Sequence, residues 1–151
     1  MPRKNIIFLI FLTICLLSVQ AWGQEYSASG NPLTRLTVKD TPVVAEVVST
    51  PKKRYLGLSH RRELPEGQGM LFLFRAPRRR VFCMRDMLFP IDIIWIAKGK
   101  VAGLHKQLSP SNRSNFIAPV PVRLVLEVPA GFADRHGIKV GDPVVVQQGG
   151  L

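Results

Sequence analysis

Residues 69–96 read GMLFLFRAPRRRVFCMRDMLFPIDIIWI, and the reading of this stretch decides the fold. Three β-favouring runs, 70–74 (MLFLF), 80–84 (RVFCM) and 91–97 (IDIIWIA), are separated by Ala76-Pro77 and Phe89-Pro90, which interrupt regular structure. Side chains alternate along a strand, so Ile91, Ile93 and Trp95 share one face while Asp92, Ile94 and Ile96 share the other. Both faces are apolar, which predicts a central strand covered on both sides. Asp92 then stands on a buried face, where a carboxylate persists only if arginine or backbone donors meet it. Arg54 and Arg61 are the expected partners. In the middle run, Phe82 and Met84 share a face with Asp86, whereas Cys83 lies with Arg85. Arg85 and Asp86 can therefore share a pocket only if a bulge or turn intervenes before Pro90.

Outward from this stretch the same texture continues. Further runs lie at 36–39 (LTVK), 43–49 (VVAEVVS), 100–107 (KVAGLHKQ), 122–128 (VRLVLEV) and 143–147 (PVVVQ), bounded by Pro, Gly and Asp. Two places read as helical. Thr50 offers a capping hydroxyl just before Pro51, and that turn ends near Gly57. Residues 132–136 form the second, closed by Gly137. No internal repeat is present. The expectation is a mainly β, single-domain β-sandwich or barrel-like fold with one or two short helical turns.

The amino terminus has three parts. Arg3 and Lys4 precede the apolar run IIFLIFLTICLLSV at 6–19, and Ala21-Trp22-Gly23 supplies small residues for cleavage before Gln24. Fourteen apolar residues are short of the roughly 20 that a membrane span needs. Residues 1–23 are therefore expected to be a signal peptide, residues 24–35 a flexible leader, and residues 36–148 the β-rich domain. The expected location is the periplasm or the exterior, with an uncleaved amino-terminal anchor as the alternative.

Over the whole chain, 21 Lys and Arg stand against 10 Asp and Glu, a net charge of +11. Loss of Arg3 and Lys4 with the signal leaves +9 and a single cysteine, Cys83. One cysteine makes no internal disulfide, so the core alone must hold the fold. The charge favours anionic surfaces, with Arg78-Arg79-Arg80 as a basic hairpin tip. No nucleic-acid motif accompanies it, and nucleic acid is not an expected partner.

Chemistry-bearing patterns are few. His60, His105 and His136 are widely spaced, with no H-E-x-x-H or C-x-x-C arrangement, so no metal and no cofactor are expected. Gly-rich phosphate loops and Ser-centred elbows are missing too. Asp92 and Glu127 are expected in buried ion pairs with Arg54 and Arg61. The candidate ligand-binding set is Arg54, Arg61, Phe82, Met84, Arg85 and Asp86. Asp142, in the turn Gly141-Asp142, reads as architecture.

Several separated motifs run in one order: Arg54, Gly57, Leu58 and Arg61; Gly69 to Phe72; Phe82 to Met87; Pro90 to Ile93; Val125 to Gly131; and Gly141-Asp142. In this the chain resembles a widespread bacterial and archaeal family, the domain of unknown function 192, from about residue 45 to 146. Where that family has F-W-M-K-N-T, this chain has Cys83 for Trp, Arg85 for Lys, Asp86 for Asn and Met87 for Thr. No role of an amide or hydroxyl at 86 and 87 therefore passes to this chain. The usual Trp at position 83 also makes Cys83 a small buried filler by expectation. The resemblance implies a compact β-sandwich or barrel-like domain, often exported, and no established reaction. The functional expectation is binding of a small-molecule or glycan ligand, or of an anionic envelope surface. The alternatives are a glycan hydrolase using Asp86 or Asp92, or a structural accessory protein.

Overall fold

The computed structural model describes residues 23–147, so the expected signal segment, apart from Gly23, lies outside the described residues. Nine strands and two short helices follow one another. They are β1 (Leu33–Val38), β2 (Thr41–Val48), α1 (Pro51–Leu56), β3 (Gln68–Arg78), β4 (Val81–Phe82), β5 (Ile91–Ala97), β6 (Lys100–Leu108), β7 (Phe116–Ile117), β8 (Val122–Pro129), α2 (Phe132–Arg135) and β9 (Val144–Val146).

Seven strands form one sheet in the order β6-β5-β8-β3-β2-β1-β9, and β4 pairs with β7 in a small second sheet. Among the described strands only β2 and β3 run parallel, with α1 in the connection between them. The large sheet curls into a half-barrel whose two edges meet. Lys100 of β6 bridges Pro143, while Val144 donates its backbone N–H to the Gly99 carbonyl at 2.8 Å.

Each face of the sheet carries its own core. Leu36, Val43, Leu71, Ile94, Leu126 and Val128 pack with Phe132 and Ala133 of α2 on one face. Met70, Phe72, Ile93, Trp95 and Val125 pack on the other with Leu58, Met84, Met87 and Phe116. Strand β5 is buried at six of its seven positions, which is why both of its faces read as apolar. Gly69 sits where β3 meets β8. A Cβ there would stand 2.9 Å from the Glu127 carbonyl oxygen and 3.0 Å from Leu126 Cδ1, so only glycine allows the approach.

The helices arise where the sequence places them. Thr50 Oγ1 accepts the Lys53 N–H at 3.3 Å, Pro51 opens the helix, and Gly57 closes it at φ 51°. At α2, the capping position is Gly131, which has no side chain to offer.

Two expectations are corrected, and one short strand is added. The run at 80–84 pairs only over Val81–Phe82, because a turn follows: Met87 donates to the Met84 carbonyl and Asp86 has φ 55°. Strand β7 has two residues, too few for any alternation to be read. Of the expected leader, residues 33–35 already belong to β1, and Asn31 is buried with its side chain bonded to Glu46 at 2.7 Å.

Candidate functional site

A cleft of about 390 Å³ opens on the second core between α1, β3, β4 and the turn after β4. Phe72, Phe74, Phe82 and Met87 give it apolar walls, Arg54, Tyr55 and Arg85 stand at its polar side, and Glu127 lines it from β8. Glu127 reaches this place by register. It stands opposite Met70 of β3 and Ile93 of β5, so it shares their face and points into the second core.

Glu127 is 5% exposed, and its Oε2 is buried with no hydrogen-bond partner among the described residues. Burial pushes its carboxyl up to about 8, so at neutral pH it is mainly the neutral acid. A neutral carboxyl is both a donor and an acceptor.

The rim is built from arginine stacking. The Arg85 guanidinium lies 3.9 Å from the Tyr55 ring centroid and donates to the Tyr55 carbonyl at 2.8 Å. Its Nε is 3.5 Å from Asp86 Oδ2, and His60 Nε2 approaches the same carboxylate at 4.0 Å. The turn after β4 thus joins Arg85 and Asp86, which strand alternation would have separated. Arg54 donates to the Ser49 and Leu73 carbonyls and lies 4.8 Å from the Phe74 centroid. Beneath the wall, the ring centroids of Phe72 and Phe82 are 4.8 Å apart, those of Phe82 and Trp95 5.4 Å, and those of Trp95 and His105 5.8 Å. Trp95 Nε1 donates to His105 Nδ1 at 2.8 Å, which leaves the imidazole proton on Nε2. Burial pulls the His105 imidazole below its usual value.

Residues 34–146 match the family described as DUF192, Uncharacterized ACR. The chain belongs to that family. Two crystal structures share the family fold. One is a protein of unknown function from Novosphingobium aromaticivorans DSM 12444, 32% identical, spanning 83% of this chain and 94% of its own, with a TM-score of 0.76. The other comes from Sinorhizobium meliloti 1021 and is described as a "putative transcription regulator". It is 28% identical and spans 82% of this chain and 98% of its own, with a TM-score of 0.71. No curated protein matches.

Within this DUF192 domain the expected site residues separate. Arg54, Phe82 and Arg85 line the cleft. Met84 is buried under it, 2% exposed, and Asp86 lies at the rim beside His60. Arg61 is elsewhere, forking onto both oxygens of Glu46, with Nη2 to Oε2 at 2.9 Å. Burial alone would push the Glu46 carboxyl up, but hydrogen bonds from Arg61, Asn31 and Ser27 outweigh it and hold the group below its ordinary value. A second cavity, about 580 Å³, borders this pair, whose two charges already satisfy each other.

The expected ion pairs of Asp92 and Glu127 with Arg54 and Arg61 do not form. Asp92 is fully buried and takes three backbone donors instead, from Gln107 at 2.7 Å, Gly131 at 3.0 Å and Ala133 at 2.9 Å. Glu127 has no charged partner among the described residues. Cys83, expected as a buried filler, is exposed and lines the cleft, because the chain has left the strand before reaching it. The sequence signal for Glu127 as a site residue, and not only an ion-pair acid, lies in VLEV: with both faces of its strand apolar, an acid there has to be accounted for.

Proposed function

We propose that this DUF192 domain is a ligand-binding module of the cell envelope, and that its ligand enters the cleft with a polar atom against Glu127. The observation that carries this reading is the buried Glu127 Oε2, without a hydrogen-bond partner among the described residues, at an apolar cleft. A buried polar group left unbonded costs free energy, and a ligand that completes its hydrogen bond recovers that cost. A neutral carboxyl complements an ether, hydroxyl or carbonyl oxygen. Walls of Phe72, Phe74 and Phe82 suit an apolar ring face, which the C–H face of a sugar also presents. A small molecule or a single glycan unit fits this chemistry. The tripartite amino terminus supports export to the envelope.

A glycan hydrolase resting on Asp86 and Asp92 has less support. Asp92 faces the first core with both oxygens engaged, while Asp86 lies at the rim of the cleft on the second. A DNA-reading role through a recognition helix has no suitable helix among the described residues, since α1 has six residues and α2 four.

Thermal shift with a panel of neutral sugars and small ring compounds tests the proposal, because a ligand of the folded state raises the melting temperature. A rise for the parent protein that is absent in Glu127→Leu is the expected result. No rise with any compound, or an equal rise in Glu127→Leu, overturns the proposal.

A further inference from the structure

The far end of β3 carries charge that the fold leaves uncancelled. Arg75 and Arg78 lie on β3, Arg79 and Arg80 follow it, Arg54 bonds to the Leu73 carbonyl, and Arg123 bonds to the Phe74 carbonyl. None of these six makes a salt bridge among the described residues, whereas Arg35, Arg61, Arg85 and Arg135 each meet a carboxylate. Arg54 and three others donate to main-chain carbonyls instead: Arg79 Nε to Ala118 at 3.0 Å, Arg123 Nε to Phe74 at 3.2 Å, and Arg80 Nη2 to Ala76 at 2.5 Å. Carbonyl acceptors orient a guanidinium but do not neutralise it.

Phe74 gathers part of this charge beside the cleft that it helps to line. The Arg80 guanidinium lies 3.9 Å from the Phe74 centroid and that of Arg54 lies 4.8 Å away. Stacking fixes the planes of both forks, so less freedom is lost when they close on an anion. Arg80 Nε is buried with no acceptor among the described residues. Burial, and then the charges of Arg78 and Arg54, pull the Arg80 guanidinium below its ordinary value. Arg54 and Arg80 thus share the Phe74 ring, Arg78 ends β3 two residues before Arg80, and Arg80 has a donor with nothing to bond among the described residues.

We propose that Arg54, Arg78 and Arg80 form a phosphate-binding subsite around Phe74, continuous with the cleft through Arg54 and Phe74. The inference rests on the cleft being a ligand site and narrows its ligand to one bearing a phosphate group. A carboxylate can fill one guanidinium fork; a tetrahedral phosphate offers oxygens and charge enough for several. The phosphate belongs either to a small phosphorylated compound or to a phospholipid headgroup.

Isothermal titration with inorganic pyrophosphate at fixed ionic strength tests the subsite, and sedimentation with phosphatidylglycerol vesicles tests the lipid source. Arg78→Gln and Arg80→Gln are each expected to weaken binding by about tenfold or more, as the loss of one charge-assisted hydrogen bond does. Arg113→Gln, an exposed arginine outside the cluster, is expected to leave it unchanged. Binding to vesicles but not to pyrophosphate, with the same arginine dependence, assigns the phosphate to a headgroup. If Arg80→Gln does not fold, as circular dichroism would show, the exposed Arg78 carries the test alone. Absence of binding to either probe, full affinity in Arg78→Gln, or an equal loss in Arg113→Gln overturns the subsite. Pyrophosphate binding that persists while no panel compound depends on Glu127 would instead remove the cleft reading and leave the arginine cluster standing.

Discussion

Asp92 Oδ2 lies 2.9 Å from the backbone nitrogen of Ala133, and through this contact a strand caps a helix. Gly131, at the capping position of α2, has no side chain, so Asp92 reaches across from β5 to supply the missing acceptor. Its other oxygen takes Gly131 N–H and the N–H of Gln107, a residue at φ 52° where β6 bulges. One buried carboxylate thus ties two segments, β6 and the start of α2, to β5 on the first core.

Removal of that carboxylate should be costly and local. Asp92→Ala leaves three N–H groups without their acceptor and is expected to cost about 3–5 kcal/mol. Ligand binding in the cleft should survive, since Asp92 faces the other side of the sheet. Urea unfolding midpoints measure the cost. A loss below about 1 kcal/mol would show that water replaces the carboxylate.

Glu127 sets a slope of stability with pH. Its folded value is about 8 against an ordinary 4.5, so the folded state holds the proton more tightly than the unfolded chain. The contribution is fully present below pH 4.5 and is lost as pH rises to about 8, a change on the order of 5 kcal/mol. Glu127→Gln should flatten that decline. Chemical denaturation at stepped pH decides it, and an unchanged slope in the variant would place the titration elsewhere.

Glu46 works in the opposite sense. Its carboxyl is held below its ordinary 4.5, so its contribution is present above that value and is lost as pH falls through the lowered folded value. Arg61→Ala should weaken the acid limb and cost about 1–3 kcal/mol at neutral pH, because the half-buried Glu46 loses its bidentate partner. The same pH-stepped denaturation, carried below pH 4.5, is the check.

Cys83 is exposed at the cleft, so a thiol reagent should modify it in the folded protein. The reaction should be missing from Cys83→Ser, which is expected to lose no more than about 0.5 kcal/mol. Modification only at the rate of global unfolding would mean that the thiol is covered.

The strands were legible where a β-favouring run is longer than about four residues, alternating as in VVAEVVS or apolar on both faces as in IDIIWIA. The partner of Asp92 was not. Its donors are backbone groups of Gln107, Gly131 and Ala133, and every residue carries such a group whatever its side chain. Arg61 was assigned to the wrong acid because Glu46 lies on β2, and its fork depends on how the chain after α1 returns past that strand. Cys83 was misplaced by one event, the end of β4 at Phe82, after which parity carries no information.

The order of strands also bears on when this sheet can be finished. The first strand lies between the second and the last, with Leu36 paired to Val43 on one side and to Val146 on the other. A nascent chain can form the β1–β2 hairpin early, but the far edge of β1 stays open until β9 has left the ribosome. Such distant pairing pays its loop-closure entropy late and slows folding. Until β9 arrives, the growing chain presents an unpaired edge that a chaperone or another strand could occupy.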